Sequence, residues 1–249
     1  MSQSQETEPR KPRTKRRLTL LVFLLLVSLL VFWGIQLSDM RIARDGEGWS
    51  YTANHLHQCA LAMHNYESSK GRLPPATVKD AQGHPLYSWR VLILPMIGED
   101  KLYKQFHLDE PWDSPHNLTL LDKMPKIYES PFSDRDAHGT TRFQVLVGTR
   151  TIFEHDGLGL DQIPNGTSHT ILIVESDTPV PWTKPVDVKY DPNQPLPGFA
   201  SHAKPLGFLG LEAPRKRGFV FCFADGSTQF IDDDTPESTI RRRMLRSVP

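Results

Sequence analysis

The longest apolar run, Leu18–Leu37, reads LTLLVFLLLVSLLVFWGIQL and contains no charged residue. A helix rises about 1.5 Å per residue, so such a run crosses the roughly 30 Å hydrocarbon core of a bilayer. It predicts one transmembrane helix, with Trp33 near its outer interface. A second pattern follows. Leu56, Cys59, Ala60, Met63 and Tyr66 recur at spacings of three and four, which predicts an amphipathic helix over 49–70. Gly71 suits its end, and Leu73-Pro74-Pro75 bars its continuation. Ser88–Ile97 predicts a shorter helix ended or kinked by Pro95, and 99–106 a further helical turn. Residues 107–140 are rich in Pro, Asp and His and predict irregular structure.

The pattern then changes to apolar, β-branched runs at 141–148 and 170–175, with the turn signal Pro164-Asn165-Gly166-Thr167 between them. Residues 177–217 hold prolines at 179, 181, 185, 192, 195, 197, 205 and 214, and predict a long surface loop. Asp225-Gly226 lies between Gly218–Ala224 and Ser227–Ile231, which predicts a hairpin with a type I′ turn. Asp232-Asp233-Asp234 leads into a closing helix over 236–245. This order predicts an α+β domain in which an amphipathic helix packs on an antiparallel sheet.

Charge sets the orientation. Arg10, Lys11, Arg13, Lys15, Arg16 and Arg17 precede the apolar run, whereas Asp39, Arg41, Arg44, Asp45 and Glu47 nearly cancel after it. The basic side stays in the cytoplasm. The division expected is a basic cytoplasmic tail 1–17 without order, an anchor 18–37, a polar connector 38–48 and an extracytoplasmic domain 49–249. A cleaved signal peptide has a shorter apolar core and a small-x-small site, which Phe32-Trp33-Gly34-Ile35-Gln36 does not offer. The chain has zero net charge, but its basic tail leaves the remainder acidic, which gives no support for nucleic-acid binding. Cys59 and Cys222 are the only cysteines. In an exported domain they could pair, and equally each could be a buried free thiol.

Several strings resemble one family. They are Asn54-His55-Leu56-His57-Gln58, Ala60-Leu61-Ala62-Met63-His64-Asn65-Tyr66, Gly71-Arg72-Leu73-Pro74-Pro75-Ala76, Leu86-Tyr87-Ser88-Trp89-Arg90-Val91-Leu92, Asp109-Glu110-Pro111-Trp112-Asp113-Ser114, Asn165-Gly166-Thr167-Ser168-His169-Thr170 and Phe223-Ala224-Asp225-Gly226-Ser227. Together they resemble a prepilin-like family of unknown function abundant in planctomycete bacteria. The resemblance implies a membrane helix leading into a pilin-like α+β domain, and implies no reaction. Two departures stand out. Many members carry a prepilin-peptidase site, a Gly followed by Phe and later a Glu in the apolar helix. Arg16-Arg17-Leu18-Thr19-Leu20-Leu21-Val22 has neither Gly nor Glu. Members often have a His separated by nine residues from the Asp-Gly pair, where this chain has Arg215.

Few motifs suggest chemistry. Asp156-Gly157-Leu158-Gly159-Leu160-Asp161, with Glu154 nearby, offers oxygen ligands in a bendable loop, as calcium requires, or else is an ordinary Gly-rich turn. Calcium binding in a strand-rich region also fits the resemblance to pilin-like proteins. His55 and His57 point about 200° apart on a helix and cannot share an ion, and His64 lies two turns from His57. Solvated or capping roles suit all three. Asp113, Ser114 and His116 sit together in a Pro-broken loop that suits a triad poorly. Trp112, Trp182 and Asp225 are expected in loops that meet a ligand or partner. The reading is a membrane-anchored extracytoplasmic binding or assembly module of the bacterial envelope, non-enzymatic, meeting the membrane and other envelope proteins. Solute capture is the alternative and an envelope hydrolase the third.

Overall fold

The computed structural model describes residues 13–132, 136–155, 157–203 and 217–247; before residue 48, only the side chains of Phe23 and Leu26–Leu30 are among them. The chain forms two compact units, Met1–Arg44 and Asp45–Pro249. Helix α1 spans Arg13–Lys70. It takes in 13–17, expected without order, and the expected connector 38–48. No proline interrupts that connector, and Gly46 and Gly48 lower helix propensity by only about 1 kcal/mol each. Along the apolar run, Phe23, Leu26, Val27, Leu29 and Leu30 are exposed. Among the described residues no helix is long and apolar enough to cross a membrane. Most side chains of the expected anchor lie outside that description.

The second unit is α+β. The amphipathic stripe of α1 is buried as expected: Leu56, Cys59, Ala60 and Met63 are fully enclosed. The helix stops at Gly71, which takes φ +72°. Strands β1 (Thr77–Lys79) and β2 (Pro85–Ser88) form an antiparallel pair. Ser88 then caps α2 (Trp89–Leu92) by accepting from the Arg90 N–H. The expected helix at 88–97 breaks here, because Pro95 can only start a new turn, and 94–97 is a 3-10 helix closed by left-handed Gly98. Short helices α3 (Asp100–Tyr103) and α4 (Pro115–Leu118) follow. The stretch expected as irregular is thus a chain of turns. The fully buried Asn117 ties them by donating to the carbonyls of His107 and Pro111.

The main sheet contains β3 (Thr140–Val147), β4 (Ile171–Pro181), β5 (Val188–Lys189), β6 (His202–Ala203), β7 (Arg217–Phe223) and β8 (Thr228–Asp232). Its order is β5-β3-β4-β7, with β6 and β8 both pairing β7. All pairs are antiparallel except β3–β5, which is parallel and departs from the expected all-antiparallel sheet. The period of two along β7 sorts its side chains. Val220 and Cys222 join Ala224 in a core with α1, while Phe221 and Phe223 join a second core. Helix α5 (Glu237–Met244) closes that second core with Ile240 and Met244. The sheet is therefore covered on both faces.

The proline-rich stretch is the largest correction. It was expected as a surface loop, yet β4 runs through Pro179 to Pro181, and β5 and β6 both lie within it. The ladder explains how. Phe143 pairs with Glu175 but Thr141 pairs with Val180, so Ser176–Pro179 bulges out opposite Arg142. A bulge frees its residues from ladder duty and so tolerates proline. Arg142 donates to the carbonyls of Ser176 and Asp177, and Gln144 donates to that of Thr178 at 2.7 Å. Residues 204–216, with Arg215, lie outside the described residues.

The β7–β8 hairpin is present, but its turn is not type I′. Of the Asp225-Gly226 pair only Gly226 has positive φ, at +82°. Gly226 N–H donates to Phe223 C=O, and Phe223 N–H donates to Ser227 C=O, a three-residue loop ending in a left-handed glycine. Tertiary bonds select this form. Ala224 and Asp225 donate their N–H groups to the carbonyls of Thr170 and Thr167. On α1, His57 Nδ1 lies 2.7 Å from Gly226 O and His64 Nε2 lies 2.8 Å from Ala224 O. Both histidines dock the helix on the hairpin tip, and His55 Nδ1 meets Glu129 O at 3.1 Å.

Candidate functional site

Among the described residues of the second unit, two clusters form around buried carboxylates. The first gathers around Glu175, in the middle of β4. Its Oε2 accepts from His202 Nε2 at 2.6 Å and from Thr52 Oγ1 at 3.0 Å, and its Oε1 accepts from Ser130 Oγ at 2.5 Å. All four residues are buried. The carboxylate stands between the serine and the histidine, so this arrangement holds four chain segments together and does not activate Ser130. A hydrolytic triad needs the imidazole against the hydroxyl.

The second cluster joins α2 to the strap before β5. Arg90 is fully buried. It donates through Nε to Phe143 O at 2.8 Å, through Nη1 to Ser88 Oγ at 2.6 Å and through Nη2 to Asp187 Oδ1 at 2.8 Å. The same Oδ1 accepts from Val145 N–H at 2.9 Å and from Trp89 Nε1 at 3.2 Å. All this donation falls on one oxygen. Asp187 Oδ2 is buried and meets no donor among the described residues. Burial raises the Asp187 carboxyl above its ordinary range, and the Arg90 charge opposes that rise. An unmet buried acceptor costs about 1–3 kcal/mol. Thr183 Oγ1, four residues earlier on the same strap, is also buried without a partner among the described residues.

Asp187 belongs to the lining of a groove of about 550 Å³. Ala76, Val147, Phe153, Pro185 and Val186 supply apolar walls, and Lys79, Lys189, Glu154 and His155 supply polar ones. Lys79 and Lys189 are exposed at the ends of β1 and β5. Glu154 is already engaged, accepting from Arg246 Nη2 at 2.6 Å, and that bond holds its carboxyl below the usual range. The volume lies within the range of small-molecule clefts.

The residues singled out from sequence fall apart in space. Trp182 was expected in a ligand loop but is fully buried. It donates Nε1 to Leu121 O at 3.1 Å and packs between Tyr128 and Phe106, so it lines no surface pocket. Trp112 is half-buried with Lys184 Nζ 5.2 Å from its ring centroid. Asp225 is exposed in the hairpin turn, where its Oδ1 accepts the Ser227 N–H. Of the calcium set, Asp156 lies outside the described residues, Glu154 is bound to Arg246, and Asp161 is the middle residue of the 3-10 turn Leu160–Gln162. Among the described residues no group of three His, Cys, Asp or Glu is placed to hold a metal ion. Gly157 has a structural reason: it takes φ +68°, and a Cβ there would lie 2.0 Å from Leu73 O. Ser114 caps α4 by accepting the Asn117 N–H, while His116 Nε2 turns to Gln105 O at 2.7 Å. Cys59 and Cys222 are both free and buried, and burial pushes both thiols up, away from nucleophilic reactivity.

Sequence reasoning missed Arg90, Asp187 and His202. One signal was present. Arg90 interrupts the apolar run Trp89–Leu94, and a charge inside such a run must find a partner. Nothing in the sequence pointed to Asp187 as that partner.

Residues 52–147 match a family described as protein of unknown function (DUF1559). The matched segment, less than half of the chain, runs from the enclosed part of α1 to the end of β3. It includes Arg90, Lys79 and Val147 but not Asp187 or Lys189. No curated protein and no solved structure matches the chain.

Proposed function

We propose that this chain is a membrane-anchored binding module of the bacterial cell envelope, with its second unit outside the cytoplasmic membrane and no catalysis of its own. The observation that carries the reading is the groove beside Asp187, a concave surface with apolar walls and a carboxylate left half-bonded beneath it. The anchor rests on the uncharged run Leu18–Leu37 behind a basic tail, and the exposed Phe23, Leu26 and Leu30 on α1 are consistent with lipid contact. The prepilin-like layout fits a membrane helix followed by an α+β unit. The missing Gly and Glu at the head of the apolar run argue for a retained anchor instead of a processed pilus subunit. Solute capture is the form of binding that a groove, as opposed to a flat patch, favours.

Topology tests this directly. With a tag at each end, protease added to spheroplasts should remove the carboxyl-terminal tag and spare the amino-terminal one, and the intact mass should include residues 1–37. A mature chain beginning after about residue 35 would replace the anchor with a signal peptide. Protection of both tags would place the second unit in the cytoplasm and end the proposal.

A further inference from the structure

We infer that the groove between β1 and β5 takes an extended peptide segment as an added strand, laid along the outer edge of β1. The inference rests on the reading of the second unit as a binding module and names the class of its ligand.

The ladder leaves the outer edge of β1 open. Trp89 N–H donates to Ala76 C=O at 3.2 Å, and Asp80 N–H donates to His84 C=O at 3.0 Å. Val78 lies between these bonds, opposite Tyr87. Residues 76, 78 and 80 therefore face β2, and the period of two turns the N–H and C=O groups of Thr77 and Lys79 outward. Ser88, opposite Thr77, obeys the same alternation: its N–H points away from β1 and donates to Thr183 C=O at 3.0 Å. On β5, Lys189 lies opposite Val147 in the parallel ladder, and Tyr190 N–H donates to Val147 C=O at 2.8 Å. In a parallel pair one residue bonds to both neighbours of its partner, so the N–H and C=O of Lys189 face away from β3. Among the described residues, none of these outward groups meets a backbone partner.

Thr77, Lys79 and Lys189 line one groove, of about 550 Å³. Strand edges therefore border it on two sides. The outward groups on β1 recur every second residue, about 6.6 Å apart. A small solute meets one or two of them, whereas an extended backbone offers donors and acceptors at that same interval. Ala76, Val147, Phe153 and Val186 give apolar surface to every second side chain of the added strand. A second copy suits the edge poorly. Its β1 already carries β2, so a sheet docked here would meet β5 across the groove. Exposed lysines on edge strands, here Lys79 and Lys189, also oppose pairing of sheet with sheet. A segment with both edges free enters.

The test uses the full chain in detergent micelles. Capped heptapeptides randomised over Val, Thr, Ser, Ala, Leu and Gly are selected on it, and amide exchange is read residue by residue with the leading sequence. That peptide should slow exchange at Thr77, Lys79 and Lys189 about tenfold or more. N-methylation of its alternate amides should weaken binding about tenfold or more, with the protein unchanged. Thr77→Pro should weaken it similarly, since proline is tolerated where an edge N–H faces outward. An N-methylated peptide that binds as tightly as its parent is held by side chains, and overturns strand addition. Protection confined to other strands moves the site and overturns the inference. Protection of Thr77 and Lys79 that grows with protein concentration in the absence of peptide puts a second copy on the edge and overturns the peptide. Failure of every heptapeptide to bind also overturns the inference, while the anchored topology is read separately in spheroplasts.

Discussion

The two buried carboxylate clusters differ in how completely their oxygens are bonded. Around Glu175 both oxygens are used, by Ser130 on one side and by Thr52 and His202 on the other. Around Asp187 three donors converge on Oδ1 and none reaches Oδ2 among the described residues. A completed network fixes the positions of the segments it joins, here α1, the loop at Ser130, β4 and β6. The incomplete one still joins α2 to the strap before β5, but leaves one buried acceptor unbonded. Polar satisfaction, more than charge or burial, distinguishes them.

The largest expected effect sharpens that contrast. Asp187→Ala strands the Arg90 guanidinium in the core, and should cost about 3–5 kcal/mol in urea unfolding of the full chain. Glu175→Gln keeps the shape but replaces one accepting oxygen with a donating amide, and should cost about 1–3 kcal/mol. Equal losses in the two variants would erase the distinction between the clusters. Gly226→Ala should cost about 1–2 kcal/mol, since the left-handed φ penalises any Cβ. A negligible change there would mean that the hairpin tip relaxes away from His57 and His64. The smallest effect belongs to the groove rim. Arg246 holds the folded Glu154 carboxyl below its unfolded value. Its stabilising contribution is present above the ordinary carboxylate range and lost as pH falls through the depressed value. Parent and Glu154→Gln should therefore differ in urea midpoint at pH 7 and converge in strong acid.

Much of the fold was legible. The three-and-four spacing of Leu56, Cys59, Ala60 and Met63 marked the buried face of α1, because a helix repeats every 3.6 residues. The strands at 141–148 and 170–175 and the final hairpin followed from apolar runs and an Asp-Gly turn. The proline stretch misled because local rules see a missing N–H but not a bulge. Gln144 and Arg142 meet the carbonyls of Ser176–Thr178 from the neighbouring strand, and that supply of donors makes Pro179 tolerable. Trp182 misled in the same way: its neighbours Pro181 and Pro185 read as surface, while Tyr128 and Phe106 enclose it.

The candidate site was far less legible than the fold. Arg90 and Asp187 are 97 residues apart in the chain, and Glu175 meets Thr52 across 123. Such pairs leave no periodicity to read. The sequence by itself determined the apolar run, the charge asymmetry around it, the stripe of α1 and the places of β3, β4 and the β7–β8 hairpin along the chain, since each depends on neighbours within a few turns or strand lengths. Only the tertiary structure decided which buried charges meet, which oxygen stays unbonded and where the groove opens. Those depend on the approach of segments that the chain brings together only when its core closes.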